Sequence, residues 1–117
     1  MRAILILSLA AGVVSPAFAG GDAVAGATKA KQVCATCHGD DGNKPLQPDF
    51  PKLGGQHPDY LFHALKQYKS GARKNAIMAG LAQALTLKEM EDLAAYYASQ
   101  HSTLHIIPLH RLAHDER

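Results

Sequence analysis

Two cysteines and a histidine are the residues of this sequence best suited to chemistry. They lie in the run Cys34-Ala35-Thr36-Cys37-His38, which has the form C-x-x-C-H. Each thiol can add across one haem vinyl group to form a thioether, and the two-residue spacing lets both sulfurs reach neighbouring edges of one porphyrin. The adjacent histidine then lies under the iron as an imidazole ligand. The motif therefore predicts one covalently bound haem c, held by Cys34 and Cys37, with His38 on the iron.

Other uses of a cysteine pair fit this sequence less well. A structural zinc site needs four ligands, usually from a second Cys or His pair, and the chain has only two cysteines, so we expect no zinc. A thioredoxin-like redox pair expects a βαβ pattern around it, and no segment here has the pattern of a strand. A structural disulfide between Cys34 and Cys37 would close a very short loop. Haem attachment is the prediction that remains.

The first nineteen residues have the pattern of an export signal. A positive charge at Arg2 precedes an apolar stretch at 3–14, and Ala17-Phe18-Ala19 has the small-x-small form that signal peptidase recognises. The apolar stretch is shorter than the roughly 20 residues that a membrane-spanning helix needs, which makes a retained anchor the weaker alternative. We therefore expect residues 1–19 to be a signal peptide cleaved after about Ala19, and the rest to reside in the periplasm.

Composition and charge limit the class of protein. The 117 residues suffice for one domain, and a domain this small often needs a cofactor to complete its core. The sequence has no Trp, 3 Phe and 4 Tyr, so something other than large aromatic side chains must fill the centre. A net charge of +2, with no basic face interleaved with aromatic residues, argues against a nucleic-acid partner.

Apolar periodicity and capping residues predict helices that would position these groups. Asp22 is a good N-cap, Pro58 suits a first helical turn, and Thr86-Leu87-Lys88-Glu89 matches a capping box. The predicted helices run from Asp22 to Cys34, from Pro58 to Gly71 and from Thr86 to about Gln100. The apolar stretch 76–85 can hold a short fourth helix. The Gly- and Pro-rich stretch after His38 predicts an ordered loop of about 18 residues.

With these features, the chain resembles the class I c-type cytochromes. The likeness is strongest to single-haem domains of bacterial di-haem cytochromes c and to their small one-domain relatives, and it covers roughly residues 21–100. Beyond the haem motif it is carried by Gly21-Asp22, Gly26, Phe50 to Gln56, Gly71-Ala72-Arg73, Asn75 to Gly80 and Leu93 to Tyr97. The resemblance implies an all-α, class I cytochrome c fold, with three to four helices around one covalently bound haem and long ordered loops.

The resemblance also implies a methionine ligand on the other face of the iron. Met78 matches the family's position and lies in an apolar stretch between two helices. Met90 lies on the apolar stripe of the last helix, where a methionine fills the core. His57 and His63 are the alternative ligands. We expect the iron to be bound by His38 and Met78.

The resemblance implies supporting roles for Pro51 and Gly26, and two further residues are candidates for haem contacts on chemical grounds. The carbonyl of Pro51 is expected to accept a hydrogen bond from His38, which would orient the imidazole. Gln56 and Arg73 are candidates for binding the haem propionates, since a guanidinium suits a carboxylate. Gly26 is expected to lie where the first helix crosses Leu93 and Tyr96 of the last.

These features predict a function and a domain plan. Residues 20–101 form the cytochrome c domain, and 102–117 are a C-terminal extension of unknown role. With both axial positions filled, the iron would have no open site for a substrate, so we expect a monomeric electron carrier rather than an enzyme, acting with redox partner proteins in a respiratory or similar chain. The alternatives are a haem sensor with an open sixth position and a haem subunit of a larger oxidoreductase complex.

Overall fold

The computed structural model describes residues 20–104, so the predicted signal peptide and the extension from residue 105 onward lie outside the described residues. In the described part there are five helices and no strand, which confirms the all-α prediction. The helices are α1 (Ala23–Val33), α2 (Ala35–His38), α3 (Pro58–Ser70), α4 (Ala76–Gln83) and α5 (Leu87–Ala98). None of them is long and apolar enough to cross a membrane.

Capping groups fix where the longer helices begin and end. The side chain of Asp22 accepts hydrogen bonds from the amides of Val24 and Ala25, which would otherwise lack partners in the first turn of α1. Thr86 and Glu89 form the reciprocal capping box that the sequence predicts for α5. Gly71 ends α3 at φ 77°, a left-handed conformation that favours glycine.

One short helix departs from the predicted boundaries. The chain was expected to be helical as far as Cys34 and to enter a loop after His38. Instead, Cys34 at φ −112° interrupts the helix, and the four residues of α2 form a separate turn that carries Cys37 and His38. Cys37 and His38 are therefore held on a short helix, and Cys34 lies at the break between α1 and α2.

Helix α1 crosses helix α5 at Gly26. A Cβ atom built on Gly26 would lie 2.0 Å from the carbonyl oxygen of Asp92 and 2.8 Å from the Cβ of Tyr96. Only a residue without a side chain lets the two backbones approach so closely. Ala30, one turn later on α1, is fully buried beside Leu93 and Ala94 in the same core.

Polar contacts between α1 and α5 also hold the two helices together at the edges of this crossing. The amide of Asp22 donates to the carboxylate of Asp92 at 2.5 Å, and Lys88 also binds that carboxylate. Lys29 pairs with Glu89 at 2.7 Å. These contacts therefore join the start of α1 and its middle to the first half of α5.

The segment between α2 and α3 is an ordered loop, held from both sides. Its start is fixed by the Leu46 amide, which donates to the Cys37 carbonyl at 2.9 Å, and its end by the Gly55 amide, which donates to the Tyr97 carbonyl at 2.8 Å. Gly42, at φ 75°, lies where a Cβ would meet the Tyr97 ring at 2.8 Å. The loop is therefore packed against α5.

Candidate functional site

The His38 side chain is buried, and one of its two ring nitrogens is hydrogen-bonded. It ends α2, its residue is 6% exposed, and its Nδ1 lies 2.9 Å from the carbonyl oxygen of Pro51. Because a carbonyl oxygen can only accept a hydrogen bond, Nδ1 carries the proton, and in the neutral ring Nε2 then has a free lone pair. A lone pair on an oriented imidazole is what a metal ligand requires.

The loop that carries Pro51 is braced where it meets His38. The amide of Leu53 donates to the carbonyl of Gly42 at 2.8 Å, which turns the chain back toward α2. The ring of Phe50 lies 6.2 Å from the His38 ring, between centroids. The orientation of the imidazole therefore depends on a loop fixed by backbone contacts.

Cys34 and Cys37 are free cysteines, both partly buried. Burial raises the pKa of the Cys34 thiol to about 11, and the nearby Cys37 adds to the effect. Such a thiol is protonated at neutral pH, whereas exchange-active cysteines have lowered pKa values. The environment of Cys34 is thus unlike that of a thioredoxin-type nucleophile.

The methionines of the described residues lie in different surroundings. Met78 is on α4, partly buried, and borders a cavity. Asn75 caps α4 and its side chain accepts a hydrogen bond from the amide of Met78 at 3.0 Å. Met90 is fully buried in the core and does not border the cavity. Of the alternative ligands, His57 and His63 are exposed and neither of them lines it.

The cavity that Met78 borders also receives the attachment motif. It has a volume of about 270 Å³ and is enclosed mainly by apolar side chains of α3, α4 and α5. The polar or sulfur-bearing residues on its wall include Cys34, Cys37, His38, Gln56, Arg73, Met78 and Tyr97. Two thiols, one oriented imidazole and one thioether therefore share an apolar cavity, a donor set that fits haem c. Within residues 20–104 no three His, Cys, Asp or Glu side chains gather in a way that could hold a metal ion on their own.

The two predicted propionate-binding residues both lie at the cavity but already have partners. Gln56 Nε2 donates to the Lys52 carbonyl at 2.8 Å, which leaves its second N–H and its oxygen available. Arg73 stacks on the ring of Tyr68, 5.0 Å from the centroid, and Nη1 donates weakly to the Tyr60 hydroxyl at 3.4 Å. The fork of the guanidinium therefore retains other donors.

Tyr97 is a further cavity residue, for which the sequence alone predicts no role at the site. Its residue is 3% exposed, and its hydroxyl is the one buried side-chain polar atom between residues 20 and 104 without a hydrogen-bond partner. Burial raises the pKa of this phenol well above its usual range. The helical periodicity of apolar residues in α5 predicts that the Tyr97 ring is buried, but no sequence signal shows what surrounds its hydroxyl.

Comparison with known proteins assigns this arrangement to a family. The sequence profile of the cytochrome c family matches residues 23–100. The chain is 44% identical over 99 residues to cytochrome c4 of Pseudomonas aeruginosa, a match that covers 85% of this chain and 48% of that protein. It is 45% identical over 83 residues to cytochrome c-554(548) of Halomonas halodenitrificans, covering 68% of this chain and 98% of that protein.

A solved structure extends the likeness to the fold. The crystal structure of reduced recombinant cytochrome c4 from Pseudomonas stutzeri superposes with a TM-score of 0.64 at 42% identity, covering 70% of this chain and 47% of that one. This chain spans about half the length of the cytochrome c4 proteins that it matches. The similarity therefore covers one haem-domain equivalent of those proteins.

Proposed function

Because this chain belongs to the cytochrome c family, we propose that it is an electron carrier with one haem c, attached through Cys34 and Cys37 and ligated by His38 and Met78. The observation that carries the proposal is the shared cavity: the attachment motif and Met78 come from different helices, 40 residues apart in sequence, and border the same apolar space. Haem c supplies a one-electron iron couple at this site.

His38 would serve as the proximal ligand through Nε2. Its Nδ1–H donates to Pro51, which holds the ring in one orientation and increases the basicity of the ligating nitrogen. Because α2 places His38 next to Cys37, attachment and ligation would be fixed by one helical turn. One short helix would therefore supply both a covalent link to the haem and an iron ligand.

Met78 would fill the other axial position with its thioether sulfur. Its backbone is positioned by the Asn75 cap, and the apolar neighbours Ile77 and Leu81 lie on the same short helix. A methionine ligand raises the reduction potential of a c-type haem. With both axial positions occupied by protein, no site would remain for substrate, which supports a carrier rather than a sensor.

The remaining parts of the proposal concern orientation and location. Gln56 and Arg73 would bind the haem propionates with the donors that their present contacts leave available. The export pattern of residues 1–19 supports a periplasmic carrier, which would exchange electrons with redox proteins as its donor and acceptor.

Visible spectra of the wild type and of Met78→Ala test the proposal. Reduced wild type should show a c-type spectrum and bind carbon monoxide slowly and incompletely at neutral pH. Met78→Ala should keep covalently bound haem, have a lower potential and bind carbon monoxide rapidly. The matched control is Met90→Leu, which changes a buried core methionine with nearly conserved volume and should behave like wild type.

Two results would contradict specific parts of this assignment. Absence of covalent haem in mass spectra of periplasmically produced protein would refute the cytochrome function itself. Rapid, complete carbon monoxide binding by the wild type would refute ligation by Met78 and favour the sensor alternative.

A further inference from the structure

The Tyr97 hydroxyl is a buried polar group at the cavity that the proposed haem site does not yet use. Its ring packs in the core against Gly42, and the residue borders the cavity together with Cys34. A phenylalanine would fill the same space without burying a hydroxyl. Because an unpartnered buried hydroxyl is destabilising, its presence points to a partner in the mature protein.

Cys34 is the candidate partner that we consider, because it borders the same cavity as Tyr97. Cys34 and Tyr97 each influence the pKa of the other, which indicates that they lie near one another, although no hydrogen bond of ordinary geometry joins them. Cys34 also packs against the core cluster to which Tyr97 belongs. By contrast, the neighbouring Tyr96 hydroxyl already donates to the Asp40 carbonyl at 2.8 Å.

Thioether formation changes what the sulfur of Cys34 can do. When the thiol adds across a vinyl group, sulfur bonds to one vinyl carbon and the thiol hydrogen goes to the other, with no external oxidant or reductant. The product sulfur has no hydrogen and can only accept. A neighbouring hydroxyl is then the donor in any hydrogen bond between the two.

We propose that Tyr97 is a positioning residue of the haem site, whose hydroxyl donates a hydrogen bond to the thioether sulfur of Cys34. The inference rests on the proposed attachment of haem at that cysteine. The bond draws electron density from the sulfur, and hydrogen bonds to sulfur atoms at redox centres tune the potential. Tyr97 therefore helps to fix the thioether and favours the reduced state.

The test compares Tyr97→Phe with Tyr96→Phe in the haem-containing protein. Both variants remove one hydroxyl from adjacent positions of α5, but only Tyr97 borders the cavity. The reduction potential should fall in Tyr97→Phe and stay at the wild-type value in Tyr96→Phe. Proton NMR of the reduced wild type should show a slowly exchanging Tyr97 hydroxyl proton with a nuclear Overhauser effect to the Cys34 β-protons.

A second comparison identifies the acceptor. In a Cys34→Ala background with haem held by Cys37 alone, Tyr97→Phe should no longer change the potential. An equal change in both backgrounds would overturn the proposal, as would wild-type potential in Tyr97→Phe. If Cys34→Ala does not mature, the NMR contact decides, and its absence overturns the proposal.

Failure of this inference is distinguishable from failure of the proposed function. If wild type carries no covalent haem, the cytochrome assignment fails. If all variants carry haem with His/Met spectra and Tyr97→Phe matches Tyr96→Phe, only the role of Tyr97 is refuted.

Discussion

Substitution of Gly26 by alanine tests the closest helix contact of the fold. The new Cβ would lie 2.0 Å from the Asp92 carbonyl oxygen, whereas real Cβ atoms essentially never approach within 3.0 Å. Because that neighbour is backbone and cannot rotate away, α1 and α5 would have to separate by roughly 1 Å. The change would disturb the core around Ala30 and Leu93.

Two effects of opposite sign set the magnitude. Overpacking of a well-packed core costs about 1–3 kcal/mol, and a backbone clash belongs at the upper end of that range. Replacing a glycine by alanine inside a helix gains about 0.5–1 kcal/mol. We therefore expect a net loss of about 1–2 kcal/mol in the free energy of unfolding, or roughly 5–15 °C in melting temperature for a domain of this size. Gly26→Val should lose more.

The assay is urea unfolding of the haem-containing protein, followed by circular dichroism. Gly80→Ala is the matched control, because it adds the same methyl group to the exposed surface of α4, where no atom outside the local backbone of that helix lies within 4 Å. That variant should be as stable as wild type or slightly more so. An unfolding midpoint for Gly26→Ala at or above that of wild type would refute the argument from the crossing.

Two further predictions concern acid stability and the Met78 helix. Lys29 and the Thr86 amide lower the pKa of Glu89 from 4.5 to about 2, so the stabilisation from this carboxylate is present above pH 4.5 and is lost as the pH falls toward 2. Glu89→Gln should therefore lower stability at neutral pH and flatten its acid dependence in that window, measured by urea unfolding at several pH values. Asn75→Ala removes the N-cap of α4, which is worth about 1 kcal/mol. If Met78 binds the iron, this substitution should raise the apparent affinity for added imidazole roughly fivefold.

The predictions for Asn75 and Glu89 each have their own control or contradicting outcome. An Asn75→Ser variant keeps a capping acceptor and should bind imidazole like wild type. Equal imidazole affinity in Asn75→Ala and wild type would show that the cap does not restrain Met78. For Glu89, an acid profile identical to wild type would show that its ion pair contributes nothing to folding.

Much of the fold followed from local sequence signals. Asp22, Gly71 and the capping box at Thr86 fix helix ends through contacts within a few residues, so their pattern is readable without a structure. The separate turn α2 was not predicted, because the interruption is a change of backbone dihedral at Cys34 with no Gly or Pro to mark it.

Long-range contacts of the site were less accessible from the sequence. The crossing at Gly26 and the Pro51 contact came from family resemblance, since no periodicity relates residues so far apart. Lys69 lies in the last turn of α3, and its ammonium donates to the carbonyl of Gln83 at the end of α4 and to that of Leu85 just beyond it. Such partners depend on how helices are placed in space.

The hydrogen bond between Asp22 and Asp92 has a consequence for how the protein folds. It joins residues 70 apart in sequence and so closes most of the described domain into one loop. Closing a loop of that length costs about 4 kcal/mol in chain entropy before any of its contacts is gained. Helical proteins rich in local contacts fold fastest, and folding slows as contacts become more distant in sequence. We therefore expect this domain to fold more slowly than a helical bundle of equal size, with the meeting of α1 and α5 as the slow step.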